Sequence, residues 1–209
     1  MRPYNFTRLT PFRQATLRPL LRKYLKDSRL EQLSIPVHSV TVDLISGEPV
    51  VREEGDSVHA ILESINVPVL SQPINRDGRA LVDGGIINNV PANTLVAKGC
   101  NFVIAVSVTA KIKKEFAKNG PDTLTAKMKS ASVLETIMRT YVVQNVNMNS
   151  VGVQPADFVI QPDVRDFDIT EFSRADEMSA IGAETTIDLM PKLQQQLSRV
   201  DDKLFIRSL

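Results

Sequence analysis

An aspartate that closes a short apolar run and stands directly ahead of two glycines, Leu81-Val82-Asp83-Gly84-Gly85, is the densest chemistry in these 209 residues. Glycine tolerates backbone angles and close approaches denied to other residues, so the chain can turn sharply while the Asp83 carboxylate projects into a cleft. Strand-end crevices of this kind are where α/β sheets bind ligands. Taken alone, Asp-Gly-Gly serves equally well as a structural turn. Asn88 and Asn89, a few residues on, are suited to holding that turn through side-chain to backbone hydrogen bonds. A carboxylate so placed acts as a general base when a hydroxyl comes within about 2.6–3.2 Å. Burial that raises its pKa above about 3.9 makes it a better one.

The remaining reactive side chains form no comparable pattern. His38 falls in an expected strand and His59 on an expected helix, and no serine elbow accompanies them, so packing or surface roles fit both. Ser150, in Met148-Asn149-Ser150-Val151-Gly152, comes nearest to a nucleophile elbow but lacks the first glycine and follows a helix instead of a strand. Ser46, Ser64 and Ser71 lie outside any elbow. Asp43, Asp77 and Asp83 share no recognisable ligand spacing, so neither a metal nor any other cofactor is expected. Cys100, the only cysteine, excludes an internal disulfide and a cysteine zinc cluster and fits a reducing, cytoplasmic setting.

The elements that must position Asp83 read as a continuous α/β chain with no internal boundary. Val37 to Leu44 alternates as a strand, Ser46-Gly47 turns, and Pro49-Val50-Val51 starts a returning strand. Asp56 or Ser57 caps a helix through about Ile65, with Val58, Ile61, Leu62 and Ile65 on one face. Asn75-Arg76-Asp77-Gly78 is a tight turn, because Asp-Gly accepts positive backbone angles, and Arg79 to Val82 is the strand that delivers Asp83. A helix from Pro91 to about Lys98 ends at Gly99. Phe102 to Val108 is apolar enough for a central strand buried on both faces. Lys111 to Asp122 is polar and loop-like. Ser132-Val133-Leu134-Glu135 resembles a capping box, with Leu134, Ile137, Met138, Tyr141 and Val142 as core positions behind it. Asp157 to Gln161 is a further strand, and Ser173 to about Arg199 is helical with an interruption near Pro191. Strands alternating with helices predict a layered sheet with helices on both faces.

Hydrophobic residues at 43%, charged residues at 23% and a formal charge of +1 describe a chain able to build a core, and exclude the basic footprint of a nucleic-acid binder. No apolar run approaches the roughly 18 residues of a membrane span, and the first thirty residues do not form a signal peptide. They are basic, however: Arg2, Arg8, Arg13, Arg18, Arg22, Lys23 and Lys26 all precede the first acid, Asp27. A short amphipathic helix is expected from about Arg18, either packed on its own domain or in peripheral contact with a membrane. Pro11 and Pro19 argue against one long helix.

The string Gly78-Arg79-Ala80-Leu81-Val82-Asp83-Gly84-Gly85-Ile86-Ile87-Asn88-Asn89-Val90-Pro91 resembles the patatin-like phospholipase family, whose Asp-Gly-Gly aspartate pairs with a serine nucleophile. Ile35-Pro36 through Leu44, Ser46-Gly47-Glu48, and Ala60 to Pro68 are similar to the family's preceding segments, although Glu63 stands where a small residue is commoner. Gln154-Pro155-Ala156-Asp157, Ile160 to Val164, Phe167-Asp168 and Ala180-Ile181-Gly182 look like the bacterial branch related to neuropathy target esterase. The likeness runs from about Tyr4 to Phe205. It implies a lipid acyl hydrolase acting on lysophospholipid-type esters, with Asp83 as catalytic residue and Gly84, Gly85, Asn88 and Asn89 in support. It also implies a Gly-x-Ser-x-Gly elbow and a glycine-rich oxyanion loop, and neither is present here. The expectation is therefore one partial domain over residues 1–209, truncated on its N-terminal side and inactive alone. The alternative is a non-catalytic binding or interaction protein derived from that domain. Its expected partners are a lipid ester once the serine segment is supplied, and a second copy through an exposed sheet edge.

Overall fold

Val40, Thr41 and Val42 form the middle of a strand, β1 (Ser39–Asp43), all five residues of which are buried. The computed structural model describes residues 10–68, 71–108, 133–167 and 172–206. The strand predicted along Val37 to Leu44 is present, and it is an inner one, flanked by β2 (Pro49–Arg52) and β4 (Arg79–Asp83), with β3 (Ile74–Arg76) beyond β4. All three pairings are antiparallel. The β3–β4 turn is the one that the Asp-Gly pair predicts: Asp77 and Gly78 have φ of 52° and 73°, the positive pair that a two-residue hairpin needs. That turn sets the register Ile74↔Leu81, and so fixes where β4 ends.

One helix, α2 (Ser57–Ser64), packs on β1 and β4. Its cap is Asp56, whose side chain accepts the His59 N–H at 2.8 Å, and Ser57 becomes the first, buried, helical residue. Val58, Ala60 and Leu62 are buried as the helical spacing requires, whereas Ile65 is exposed. Glu63 is the surprise, being 3% exposed. Its Oε1 accepts from Arg52 Nη1 of β2 at 2.8 Å and from Arg76 Nε of β3 at 3.1 Å, so one carboxylate ties both outer strands to the helix. Two arginines thus explain how an acid is buried at this position; a buried charge persists only when paired.

Against α2 lies α1 (Thr10–Leu25), one sixteen-residue helix in place of the shorter one expected from Arg18. Pro11 sits in the first turn, where the missing N–H has no intrahelical partner to lose. Pro19 removes one bond from the helix interior. Arg18 reaching His59, at 2.6 Å, and Arg22 reaching Asp56, also at 2.6 Å, hold the helix on α2 despite that loss.

Described residues fall into two compact units, one within Met1–Asn89 and Ser132–Tyr141, the other within Val90–Ala131 and Val142–Leu209. The second begins with α3 (Ala92–Ala97), which starts after Pro91 and ends at Gly99, φ 85°, as predicted. It also contains a parallel pair, β5 (Ile104–Val106) and β6 (Phe158–Ile160). Phe158, Ile160 and Leu193 form its core, with Phe102 and Leu189 packed against them. Along the predicted doubly buried run, Val103, Ala105 and Ser107 are buried while Ile104, Val106 and Val108 are exposed, so β5 buries one face only. The long helix α4 (Val133–Gly152) exposes Ile137, which was expected in the core. The final helix, α5 (Ala175–Ile206), passes Pro191 without a break. The predicted loop 111–122 and the Ser132 cap lie outside the described residues. The described residues are α/β in composition, with their strands in a four-stranded and a two-stranded sheet. No described helix is long and apolar enough to cross a membrane.

Candidate functional site

Asp83 is the last residue of β4, opposite Thr41 of β1, and is half-buried. Its Oδ1 accepts the Gly85 N–H at 2.8 Å, making Asp83 the cap of a single 3-10 turn, Gly84–Ile86. The backbone N–H groups of Ile87 and Asn88 both donate to the Gly84 carbonyl, at 3.1 and 2.9 Å, and close the turn. Asn88 thus helps to hold it with its main chain. The two glycines do different things. A Cβ on Gly84 would lie 2.5 Å from the Val40 carbonyl oxygen and 2.8 Å from its carbon, so Gly84 is required because the turn is pressed against the β1 backbone. Gly85 supplies the N–H that grips the carboxylate.

A second clamp comes from a residue that the sequence did not single out. Asn66, just past α2 and 3% exposed, accepts the Asp83 N–H on its carbonyl at 3.0 Å. Its side-chain Nδ2 donates to the Leu81 carbonyl at 3.2 Å and the Gln72 carbonyl at 2.9 Å. Pairing between β3 and β4 stops at Leu81, and Asn66 takes over the next backbone groups of β4. The one trace of this in the sequence is a polar residue inside the apolar stretch Ile65-Asn66-Val67-Pro68. The Val40 carbonyl that meets Gly84 also accepts Ser64 Oγ at 2.8 Å, which ties α2 to the same spot.

The other sequence candidates have structural explanations. Asp43, the last residue of β1, accepts the N–H of Ala80 at 3.0 Å and of Ile45 at 3.1 Å, and the Ser46 hydroxyl at 2.9 Å. Those bonds, Ala80's first, hold its pKa below the ordinary carboxylate value. Although Ser46 and Asp43 form a serine–aspartate contact, it is local to a turn, and both Asp43 oxygens are committed. Ser150 lies within α4, donating to the Asn147 carbonyl at 2.7 Å, and is no strand-to-helix elbow. His59 lies on α2 with its Nε2 2.6 Å from Arg18 Nη1 of α1, a contact between two helices. His38 sits half-buried just ahead of β1. Asp77 is in the β3–β4 turn, and among the described residues no group of three or more His, Cys, Asp or Glu side chains could hold a metal ion.

An open cavity of about 480 Å³, lined by Val50, Val51, Arg52, Arg76, Arg79 and three glutamates, touches the other end of β4. Arg79 opens that strand and Asp83 closes it, which separates the cavity from the carboxylate by roughly 13 Å of strand. What the Asp83 end offers is a carboxylate aimed by a strand, fixed at both main-chain neighbours and set on a glycine turn. Presented with a hydroxyl, it can take a proton.

Comparison with known proteins matches residues 2–96 to the patatin-like phospholipase model. An uncharacterized NTE family protein of Mycobacterium tuberculosis is 26% identical over 189 residues, covering 83% of this chain and 32% of that protein. Another from the same species is 38% identical over 79 residues, covering 38% of this chain and 22% of that protein. Patatin-like phospholipase domain-containing protein 7 of Mus musculus is 25% identical over 175 residues, covering 75% of this chain and 13% of that protein. The chain spans about a third or less of the length of these relatives.

Proposed function

The chain belongs to the patatin-like phospholipase family, related to the NTE family proteins, and from that premise we propose that it carries the aspartate half of a serine–aspartate lipid acyl hydrolase. Asp83 is the base. In the reaction a serine hydroxyl attacks the ester carbonyl of a phospholipid or lysophospholipid while Asp83 takes up the hydroxyl proton, with no histidine between them. Collapse of the tetrahedral intermediate expels the alcohol, which receives that proton, and leaves an acyl-serine. Water repeats the sequence and releases the fatty acid.

The observation that carries this reading is the anchoring of Asp83. Its N–H is held by Asn66 and its Oδ1 by Gly85, on a turn where Gly84 admits no side chain. Proton transfer needs the carboxylate within about 2.6–3.2 Å of the hydroxyl, and an aspartate fixed through its own backbone supplies such precision. No Gly-x-Ser-x-Gly occurs among the 209 residues, so in this reading the serine and the oxyanion donors lie outside them. Losing even one oxyanion donor costs about 2.7–4 kcal/mol of transition-state stabilisation. The 209 residues then make up one partial domain, of the layered kind with helices on both faces, and show no hydrolysis by themselves.

The test is hydrolysis of a short-chain aryl ester by this chain alone and by a polypeptide that adds the sequence encoded in frame upstream. Turnover is expected only in the longer protein, and only with Asp83 intact. Asp83-dependent turnover by the 209 residues alone would mean that they contain the nucleophile. An upstream sequence without an elbow, and no activity in either protein, would favour a non-catalytic binding role.

A further inference from the structure

We infer that the outward face of α1 docks on an anionic lipid surface. The inference stands on this helix alone and does not depend on the role of Asp83. Between Thr10 and Leu25 the helix contains no acidic residue, and the cations flanking it all precede Asp27. Its inward side is accounted for: Leu17, Leu21 and Leu25 are half-buried, and Arg22 is paired with Asp56. Arg18 is exposed, and its contact is with the ring of His59 and not with a carboxylate.

Facing away are residues at i, i+3 and i+4 that form one patch. Leu20 is 50% and Tyr24 72% exposed, and the exposed Lys23 lies beside them with its Nζ 5.6 Å from the centre of the Tyr24 ring. Lys26 continues the basic side past the end of the helix. A leucine and a tyrosine left in water among cations, with no acid in the helix to neutralise them, suit a partner that is both apolar and negative. The headgroup region of an anionic bilayer has that chemistry: the tyrosine ring and leucine enter the boundary, and lysines reach out to the phosphates. Each cation near such a surface contributes about 1 kcal/mol, which is roughly fivefold in partition.

Because the chain contains no tryptophan, Tyr24→Trp gives the protein a single indole at the centre of the patch. Emission of that variant is recorded with vesicles of phosphatidylcholine and with vesicles that also contain phosphatidylserine, together with co-sedimentation of the unmodified chain. Expected are a blue shift and sedimentation with the anionic vesicles only. Lys23→Gln, which alters an exposed side chain, should lower the partition roughly fivefold, and Leu20→Ser should weaken it at every salt concentration. Failure to bind anionic vesicles at low salt would overturn the inference and point to an acidic protein as the partner of this face. Equal binding to both vesicle types, or binding that Lys23→Gln leaves unchanged, would overturn it as well.

Discussion

β1 and β4 run antiparallel, and each ends in an aspartate followed by a turn. Asp43 faces Leu81 across the ladder and Asp83 faces Thr41, so the two carboxylates mark opposite ends of one strand pair. At the Asp43 end the side chain reaches the facing strand and its own turn, accepting from Ala80, Ile45 and Ser46. It is buried and ties the strand ends together. At the Asp83 end the strand is gripped by other groups: Asn66 holds the backbone, Gly84 lies against Val40, and Gly85 steadies Oδ1. Where the carboxylate itself is the fastener, it is spent. Where backbone and glycine share the fastening with the cap bond to Oδ1, less of the fold rests on the carboxylate.

Several substitutions break or sharpen that contrast. Gly84→Ala should have the largest effect on stability, because its methyl group would meet backbone atoms that cannot yield as a flexible side chain would. Overpacking of this kind costs about 1–3 kcal/mol, and a urea midpoint within error of the parent would show that β1 moves aside. Asn66→Ala comes next. It strips donors from the Leu81 and Gln72 carbonyls, and a buried group left unsatisfied costs about 1–3 kcal/mol. The Asp83 N–H keeps its main-chain acceptor in this variant, so the readout is stability; a urea midpoint within error of the parent would remove the Asn66 side chain from the account.

Asp43→Asn separates the two ends by pH. A carboxylate held below its ordinary pKa stabilises the fold above the unfolded value of about 3.9 and loses that contribution as pH falls through its lower folded value. The variant should therefore be less stable than the parent at neutral pH, with the gap closing under strongly acid conditions. A gap of constant size from neutral to acid would show that charge has no part in that turn. Smallest of all is the expected effect of Asp83→Asn on stability. A loss as large as that of Asp43→Asn at neutral pH would make both aspartates fasteners and end the contrast.

The residues legible in the sequence are those whose partners lie close along the chain. The Asp77-Gly78 turn, the Asp56 cap and the Pro91 start with its Gly99 stop all follow from local backbone preferences. The Asp-Gly-Gly motif was legible as a turn, and its position on a strand end followed from the hairpin before it. Why Gly84 must be glycine was not legible, because the atom it would strike belongs to Val40, on another strand. Glu63 needed Arg52 and Arg76, which only the sheet brings to it from both sides. Both long helices outran their prolines because tertiary contacts, such as those of Arg18 and Arg22 with α2, outweigh the loss of one backbone bond. On β5, apolar composition promised burial on two faces, but exposure is decided by what covers a strand.

The most direct measurement is the rate of aryl ester hydrolysis by a polypeptide that joins a Gly-x-Ser-x-Gly segment to these 209 residues, with and without Asp83→Asn, alongside the unfolding midpoint of each. Turnover that disappears in the variant while the midpoint holds is the predicted result. Turnover that survives Asp83→Asn would contradict the account.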